Sequence, residues 1–287
     1  MRKGACIDMR KKKSGQILSY TLLVLLACIM VFPLLWSLLS SLRTDEEIFF
    51  YMAPITLHTF LPVHWTSEAY VRLFTEFNFL QPILNTLYVC LLTVVFGCLI
   101  NSIAAMAFAM MEFKGKNLIF SIIVLTFMIP FESISLPMYR IAYELKLLNT
   151  IAGIVLPSLA NGLVLFLFVQ FFKDIPAGII EASVVDGAKL RHIFFLVILP
   201  MSGAVFVTAA LLLFMSQWNG YLWPLLVAQS KSLRLSQTRL TDFNTEEGTE
   251  WAAKYAAMII SAIVPLCLFL PLQKYYVSGI TSGSLKG

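Results

Sequence analysis

The sequence predicts an all-α integral membrane protein with six transmembrane helices. Its residues are 59% hydrophobic and only 13% charged, and the mean hydropathy is +0.83. A soluble domain typically carries about 25% charged residues. The apolar residues also lie in long runs, and about 20 residues suffice for a helix to cross the hydrocarbon. Membrane spans, rather than a globular core, are therefore expected to set the architecture.

Six apolar runs are long enough to span a bilayer. The predicted spans are Ile17–Leu42, Ile83–Met111, Leu118–Met138, Ile151–Phe172, Ile193–Gln217 and Trp251–Gln273. The first run follows a basic start and resembles a signal peptide, but its apolar core is too long and no A-x-A site ends it. We therefore predict a transmembrane domain over 17–273, with short extramembrane segments at 1–16 and 274–287.

Lys and Arg are distributed unequally between the two sides of the predicted layout. With the N-terminus inside, the inner segments hold thirteen basic and five acidic residues. The outer segments hold seven basic and ten acidic residues. Because positive charge stays on the cytoplasmic side, both termini are predicted to be cytoplasmic.

Several chemistries are missing from the sequence. The segment "FKGKNLIF" contains Gly115 and Lys116 but not the spacing of a P-loop, so no nucleotide-binding loop is predicted. The three histidines and five cysteines show no metal-ligand spacing. The chain is therefore not expected to be an enzyme or to hold a metal, and nothing in it suggests a nucleic-acid partner.

A few polar residues inside or near the spans are candidates for a substrate path. Glu132 lies between Pro130 and Pro137, which can break the helix, so it either faces a path or sits at the outer interface. Asn101 and Asn161 either line a path or form hydrogen bonds between helices. The aromatic segment "SQWNGYLWPL" contains Trp218 and Asn219 and is typical of an interfacial belt, although it also suits sugar stacking.

Two predicted outer loops are long. One covers residues 44–79 and the other covers residues 219–250. Loops of this length are uncommon unless they bind a partner or are disordered. They are either plain connectors or binding segments.

The cytoplasmic segment "FFKDIPAGIIEASVVDGAKLRHIFF" between spans four and five predicts two short helices separated by a glycine. Asp174 is placed to cap the first helix, and Pro176 is tolerated in its first turn. Gly187 is placed to end that helix, because glycine adopts the left-handed cap conformation readily.

The first of these helices is expected to dock on a partner. Ile180, Val184 and Ala188 recur at four-residue spacing, while Glu181 and Asp186 fall on other sides. An interfacial helix lying on lipid is the alternative. Acidic side chains sit poorly against an anionic inner leaflet, so the pattern favours a protein partner with a basic site.

The same segment resembles the EAA loop of binding-protein-dependent ABC importer permeases. The family pattern is Glu-Ala-Ala-x-x-x-Gly, followed later by Ile-x-Leu-Pro. Here Glu181, Ala182 and Ser183 fill the first positions, and Gly187 has the expected spacing. The second half is looser, because ten residues separate Gly187 from the run that ends in Pro200.

The resemblance covers nearly the whole chain. It includes "FPLLWSLLSSLRTDEEI", "HWTSEAYVRLF", "LPMYRIAYELKLLNTIAGIVLP" and "QKYYVSGITSGSLKG", and it is to the carbohydrate-type branch, specifically the maltose-importer second permease group. It implies the type I ABC importer permease fold. It also implies a second permease subunit, two cytoplasmic ATPase subunits that bind ATP and Mg, and an extracytoplasmic solute-binding protein.

The resemblance further assigns roles to residues. The loop at about 173–192 would dock on an ATPase through the coupling residues Glu181, Ala182, Ser183, Asp186, Gly187 and Pro200. Ser282, Gly283, Lys286 and Gly287 belong to a tail that would reach between the ATPase subunits. No cofactor is expected in this chain itself.

The sequence leaves other functions open. A permease for glycerol phosphate or a related polyol shares the same pattern, although the net negative outer segments favour neutral saccharides slightly. An ion-coupled secondary transporter or channel would need an ion-coupling constellation, and the spans contain few ionisable residues. A membrane scaffold without a transport path is a third possibility.

Overall fold

The structure is a computed structural model that describes residues 2–245 and 248–281, with side chains over 16–244 and 248–273. It is built almost entirely of helices. In chain order they are α1 (Arg2–Ser40), α2 (Asp45–Phe50), α3 (Leu57–Phe60), α4 (Glu68–Thr75), α5 (Leu80–Met110), α6 (Lys116–Thr126), α7 (Phe131–Glu144), α8 (Ile151–Leu159), α9 (Gly162–Lys173), α10 (Ala177–Val185), α11 (Leu190–His192), a π-helix (Ile193–Ile198), α12 (Leu199–Met201), α13 (Gly203–Trp218), α14 (Leu222–Val227), α15 (Ser236–Arg239), a 3₁₀-helix (Leu240–Phe243) and α16 (Trp251–Thr281).

The chain forms two compact units. The first takes in the residues up to Phe77 together with Phe243–Ile260, and the second takes in Asn78–Asp242 and the residues from Ser261 onward. The first unit includes a short antiparallel hairpin of β1 (Asn244–Thr245) and β2 (Gly248–Thr249), in which Asn244 pairs with Thr249. Helix α16 begins in the first unit.

The core of the second unit forms around α5, which packs against α8, α9 and α13. Phe168, Ile198, Val205 and Ala209 are among its fully buried side chains. Gly97 permits the close approach of α13, since a Cβ at this position would lie 2.9 Å from a methyl group of Leu213.

Within the described residues, three continuous helices are long and apolar enough to cross a membrane. They are Gln16–Ser40, Leu80–Met110 and Trp251–Gln273. Three further spans are bent helix pairs, which raises the total to as many as six: Lys116–Thr126 with Phe131–Glu144 at 100°, Ile151–Leu159 with Gly162–Lys173 at 43°, and Leu190–Met201 with Gly203–Trp218 at 85°. The prediction of six spans agrees with this arrangement.

The sequence analysis does not predict the breaks in spans four and five. In span four, α8 ends before Ala160, and the side chain of Asn161 caps α9 by accepting from the Val164 N–H at 3.1 Å. In span five, Pro200 has no N–H to donate, and the helix passes through a π-helical stretch before the turn at Ser202. Short polar or proline-containing sequences therefore interrupt runs that hydropathy alone reads as uniform.

The break in span three follows the sequence more closely. Helix α6 ends at Thr126, and Pro130 is the N-cap residue of α7. Pro137, by contrast, lies inside α7 without ending it. The predicted interruption is therefore confirmed at Pro130 only.

Candidate functional site

The loop between spans four and five folds into a helix that ends at a glycine. Helix α10 ends in a Schellman arrangement, in which the Gly187 N–H donates to the Val184 carbonyl and the Ala188 N–H donates to the Ser183 carbonyl, both at 3.0 Å. Gly187 has φ +79°, so the predicted left-handed stop is confirmed. Pro176 is the N-cap residue, and Asp174 is instead the C-cap residue of α9, which corrects the cap predicted for Asp174.

Helix α10 is held to the unit by few contacts. None of its residues is buried. Ile180 and Ala188 pack partly against the core cluster, as the predicted apolar side requires. Val184 does not share that contact: it is 58% exposed, and Val185 is 85% exposed. The helix therefore packs on the unit through Ile180 and the following Ala188, and it leaves Val184 and Val185 exposed.

The acidic and small residues of the loop lie on the open side. Glu181, Ala182 and Asp186 are exposed, and only Ser183 is half-buried, with its hydroxyl donating to the Ile179 carbonyl at 2.8 Å. Pro200 is not part of this surface, because it lies in α12 within span five. The structure thus brings together five of the six coupling residues that the resemblance assigns.

A cavity of about 190 Å³ opens where the bent spans meet. Its walls come from α5, the start of α7, the break between α8 and α9, the end of α13 and α14. The polar lining residues are Thr93, Ser158, Asn161, Ser216 and Gln217. Broken helices at membrane depth are tolerated where they line such a cavity.

Asn101, a predicted path residue, is a structural residue in this fold. It is 3% exposed, and its amide nitrogen donates to the Gly97 and Leu159 carbonyls, each at 2.7 Å. Its amide oxygen accepts from the Asn161 N–H at 3.1 Å. All of its hydrogen-bonding groups are used to tie α5 to the break in span four, and it does not line the cavity.

Of the other predicted path residues, only Asn161 lines the cavity. Trp218 is 1% exposed, stacks on Phe214 and donates to the Ser261 carbonyl at 3.1 Å. It is a core residue rather than part of an interfacial belt. Asn219 is exposed at the end of α13, and Glu132 is exposed in the first turn of α7.

Gln217 is the most enclosed polar side chain of the cavity after Thr93. It is 6% exposed, and its amide oxygen accepts from the Thr93 hydroxyl at 3.4 Å. The sequence shows Gln217 as a polar residue within a span but gives no sign that Thr93, Ser158 and Ser216 join it. Hydroxyl side chains are common in buried helices, so their grouping is visible only in the fold.

Two aromatic rings complete the cavity wall. The Trp223 indole N–H donates to the Gly153 carbonyl at 2.9 Å. Its ring packs edge to face on Phe131, with the two ring centroids 6.0 Å apart. Trp223 is 7% exposed, so it is also not a belt residue. With its N–H satisfied, the ring contributes an apolar surface to the cavity.

The first unit contains a separate network of charged residues. Both oxygens of the buried Glu47 carboxylate accept backbone N–H groups, from Val63 at 2.6 Å and from His64 at 3.1 Å. Asp45 caps α16 by accepting from Trp251 and Ala252 at 3.1 and 2.6 Å. Side chains of the predicted outer segment at 44–79 thus hold backbone groups of that segment and of the first turn of α16.

Two arginines of the first unit respond differently to their surroundings. Burial lowers the pKa of Arg43, against the opposing effect of Glu47. Its Nη1 donates to the Thr59 carbonyl at 3.1 Å, while Nε and Nη2 have no partner in the described part of the chain. Hydrogen bonds to Glu250 and Glu76 raise the pKa of Arg72.

Two further points concern metal binding and the C-terminal tail. Among the described side chains, no group of three or more His, Cys, Asp or Glu is arranged to hold a metal ion. The predicted tail residues Ser282, Gly283, Lys286 and Gly287 lie outside the described residues.

Up to six apolar spans, three of them bent around a polar cavity, are the architecture of a multi-pass membrane protein. The model of the family "Binding-protein-dependent transport system inner membrane component" matches residues 93–281. The chain belongs to this family. The family membership confirms the predicted class and its membrane location.

Individual relatives match over almost their full length. The arabinooligosaccharides transport system permease protein AraQ of Halalkalibacterium halodurans is 31% identical over 96% of this chain and 100% of the relative. The lactose transport system permease protein LacG of Rhizobium radiobacter is 27% identical over 96% and 98%. The sn-glycerol-3-phosphate transport system permease protein UgpE of Escherichia coli is 30% identical over 92% and 95%.

A solved structure has the same fold. A chain from the crystal structure of a bacterial ABC transporter involved in the import of the acidic polysaccharide alginate superposes with a TM-score of 0.80. The match covers 93% of this chain and 98% of the other at 22% identity. The predicted type I permease fold is therefore confirmed.

Proposed function

We propose that the chain is the transmembrane permease subunit of an ATP-driven, binding-protein-dependent importer for a sugar or oligosaccharide. The observation that carries the proposal is the exposed helix α10. It presents Glu181, Asp186, Val184 and Val185 outward with no burial inside the chain. A partner that covered the two exposed valines would be stabilised in its complex with the helix, because apolar surface would be removed from water.

The partner that fits this surface is a cytoplasmic ATPase subunit with a basic cleft. Glu181 would pair with a basic side chain, Val184 and Val185 would fill apolar contacts, and Gly187 would allow the tight turn out of the cleft. ATP and Mg would be bound by two such ATPase subunits, since the present sequence contains no P-loop. Closure of the ATPases would then move α10 and switch the path between its two orientations.

Other components complete the proposed transporter. A second permease subunit would form the remaining wall of the path. It and the lipid would cover helix α1, which has none of its apolar span buried in this chain. An extracytoplasmic binding protein would deliver substrate to the folded segments at residues 44–79 and 219–250. We place the tail residues Ser282, Gly283, Lys286 and Gly287 at the ATPase interface on the resemblance alone.

The assignment of a sugar rests on the relatives. Those named for arabinooligosaccharides and for lactose match over nearly the whole chain. The relative named for sn-glycerol 3-phosphate matches about as well, so glycerol phosphate is the second candidate.

Co-purification and one charge reversal test the coupling proposal. The tagged chain, expressed with the genes of its own transport system, should purify with a second permease and an ATPase. Glu181→Lys should insert into the membrane normally but lose ATPase association and uptake, because it places a cation against a basic cleft. Glu112→Lys is the matched control, since Glu112 is also an exposed cytoplasmic acid, 92% exposed, outside α10.

Two outcomes would contradict the proposal. One is active transport by a homo-oligomer of this chain alone. The other is uptake in Glu181→Lys equal to that in Glu112→Lys, with the ATPase still bound.

A further inference from the structure

We infer that the cavity between the bent spans is a binding subsite for a neutral saccharide, with Gln217 as its principal hydrogen-bond donor. The inference rests on the proposed function and goes beyond it by assigning the residues and the charge class of the substrate. Its first support is position. Residues from three broken spans converge on one space of about 190 Å³, which is enough for several water molecules or a single sugar ring.

The second support is an unused donor in an enclosed place. The amide oxygen of Gln217 accepts from Thr93, but its amide nitrogen has no hydrogen-bond partner in the described part of the chain. The side chain is 6% exposed and lines the cavity. Its nitrogen is not one of the fully buried atoms that lack a hydrogen-bond partner. The nitrogen is therefore accessible, and since Gln217 lines the cavity, its two N–H groups are available there to a ligand oxygen or water.

Asn101 shows what a purely structural amide looks like in the same unit. It is similarly buried, and both its nitrogen and its oxygen bond to backbone groups. Gln217 differs because its donor is left unpaired toward an open space. The contrast separates a tie between helices from a group that is available to a ligand.

The third support is the chemistry of the remaining wall. Ser158 and Ser216 supply hydroxyls, which both donate and accept hydrogen bonds as sugar hydroxyls do. Trp223 and Phe131 supply apolar ring surface suited to the C–H face of a sugar. A few placed polar groups on a partly aromatic wall are typical of small-molecule sites.

The fourth support is the lack of charge. None of the ten described residues that line the cavity is ionisable at neutral pH. An anionic group would lose its hydration there without gaining a countercharge, which is strongly unfavourable. The cavity therefore favours a neutral saccharide over a phosphate ester or an acidic sugar.

Transport by the complete importer in proteoliposomes tests the inference. The probes are radiolabelled lactose, arabinotriose and sn-glycerol 3-phosphate, each supplied with the cognate binding protein. We expect uptake of a neutral probe. Gln217→Leu, which keeps the side-chain size and removes the donor, should lower that uptake about tenfold.

Matched variants distinguish the site from general damage. Gln170→Leu removes an exposed glutamine of α9 that does not line the cavity, and it should leave uptake within twofold of the parent. Ser216→Ala removes one hydroxyl from the wall and should reduce uptake about threefold. Subunit assembly should be unchanged in all three variants, and basal ATP hydrolysis should be unchanged in Gln170→Leu.

The inference fails if Gln217→Leu transports the neutral probe like Gln170→Leu, if sn-glycerol 3-phosphate alone is transported, or if neither neutral probe is taken up. In each case an assembled complex that hydrolyses ATP would leave the proposed coupling function intact. Loss of assembly in the parent would instead contradict the proposed function.

Discussion

The network of the first unit and the loop around α10 are both polar regions outside the apolar spans, yet they use their charges in opposite ways. Asp45, Glu47 and Glu250 each bond to groups within the chain. Glu181 and Asp186 are exposed, beside exposed valines. Acids that are satisfied internally hold a fold together, whereas acids left outward beside apolar groups are available to a partner. The comparison predicts that mutations will affect stability in one region and assembly in the other.

The largest loss of stability should follow Glu47→Ala. This change leaves two backbone N–H groups, of Val63 and His64, without their charged acceptor, and we expect about 2 kcal/mol of destabilisation. Thermal unfolding of the transporter in detergent measures the change. Glu46→Ala is the control, because Glu46 is exposed in the same helix. Equal unfolding temperatures for the two variants would show that the Glu47 network is not structural.

An intermediate loss of stability should follow Gly187→Ala. Its φ of +79° suits glycine, and alanine there should cost about 1 kcal/mol and distort the stop of α10. The larger effect should appear as weaker stimulation of ATP hydrolysis by the loaded binding protein. Gly178→Ala in the same helix should be tolerated, since a Cβ there meets nothing within 4 Å and its φ is not positive. Full stimulation in Gly187→Ala would argue against a precise turn at this position.

The smallest loss of stability should follow Val185→Ser. The side chain is 85% exposed, so the free energy of unfolding should change by less than about 0.5 kcal/mol. Affinity for the ATPase subunit should nevertheless fall about fivefold, because a valine buried at the interface contributes apolar area. Titration of the ATPase onto the permease pair in nanodiscs measures this.

Val71→Ser provides the matched control for that experiment. Val71 is 58% exposed in α4 of the first unit and should leave ATPase affinity unchanged. If Val185→Ser bound the ATPase as tightly as Val71→Ser, the outward face of α10 would not be the docking surface.

Much of the fold was predictable from the sequence, but the breaks were predicted only in part. Pro130 marked the interruption of span three, because proline leaves a local signature. The break at Asn161 was not predicted, since it depends on Asn101 reaching across from α5 to bond on both sides of it. A contact between residues about 60 positions apart leaves no pattern within a hydropathy window.

The candidate sites divide in the same way. The sequence predicted the loop, its acids and its glycine stop, and the structure confirmed the stop. Of the candidate path residues, Asn101 and Trp218 are buried in the core. The cavity is lined by Asn161 together with Gln217 and small hydroxyl residues. Polar residues in an apolar run are equally visible in the sequence whether they bond within the protein or face a cavity.

The sequence by itself determined the membrane class, the number of spans, the charge asymmetry and the helix–glycine loop, because each of these depends on local composition or spacing. Only the tertiary structure decided which amide is paired and which faces open space. That distinction depends on the positions of partner atoms on other helices, such as the Leu159 carbonyl for Asn101 and the Thr93 hydroxyl for Gln217.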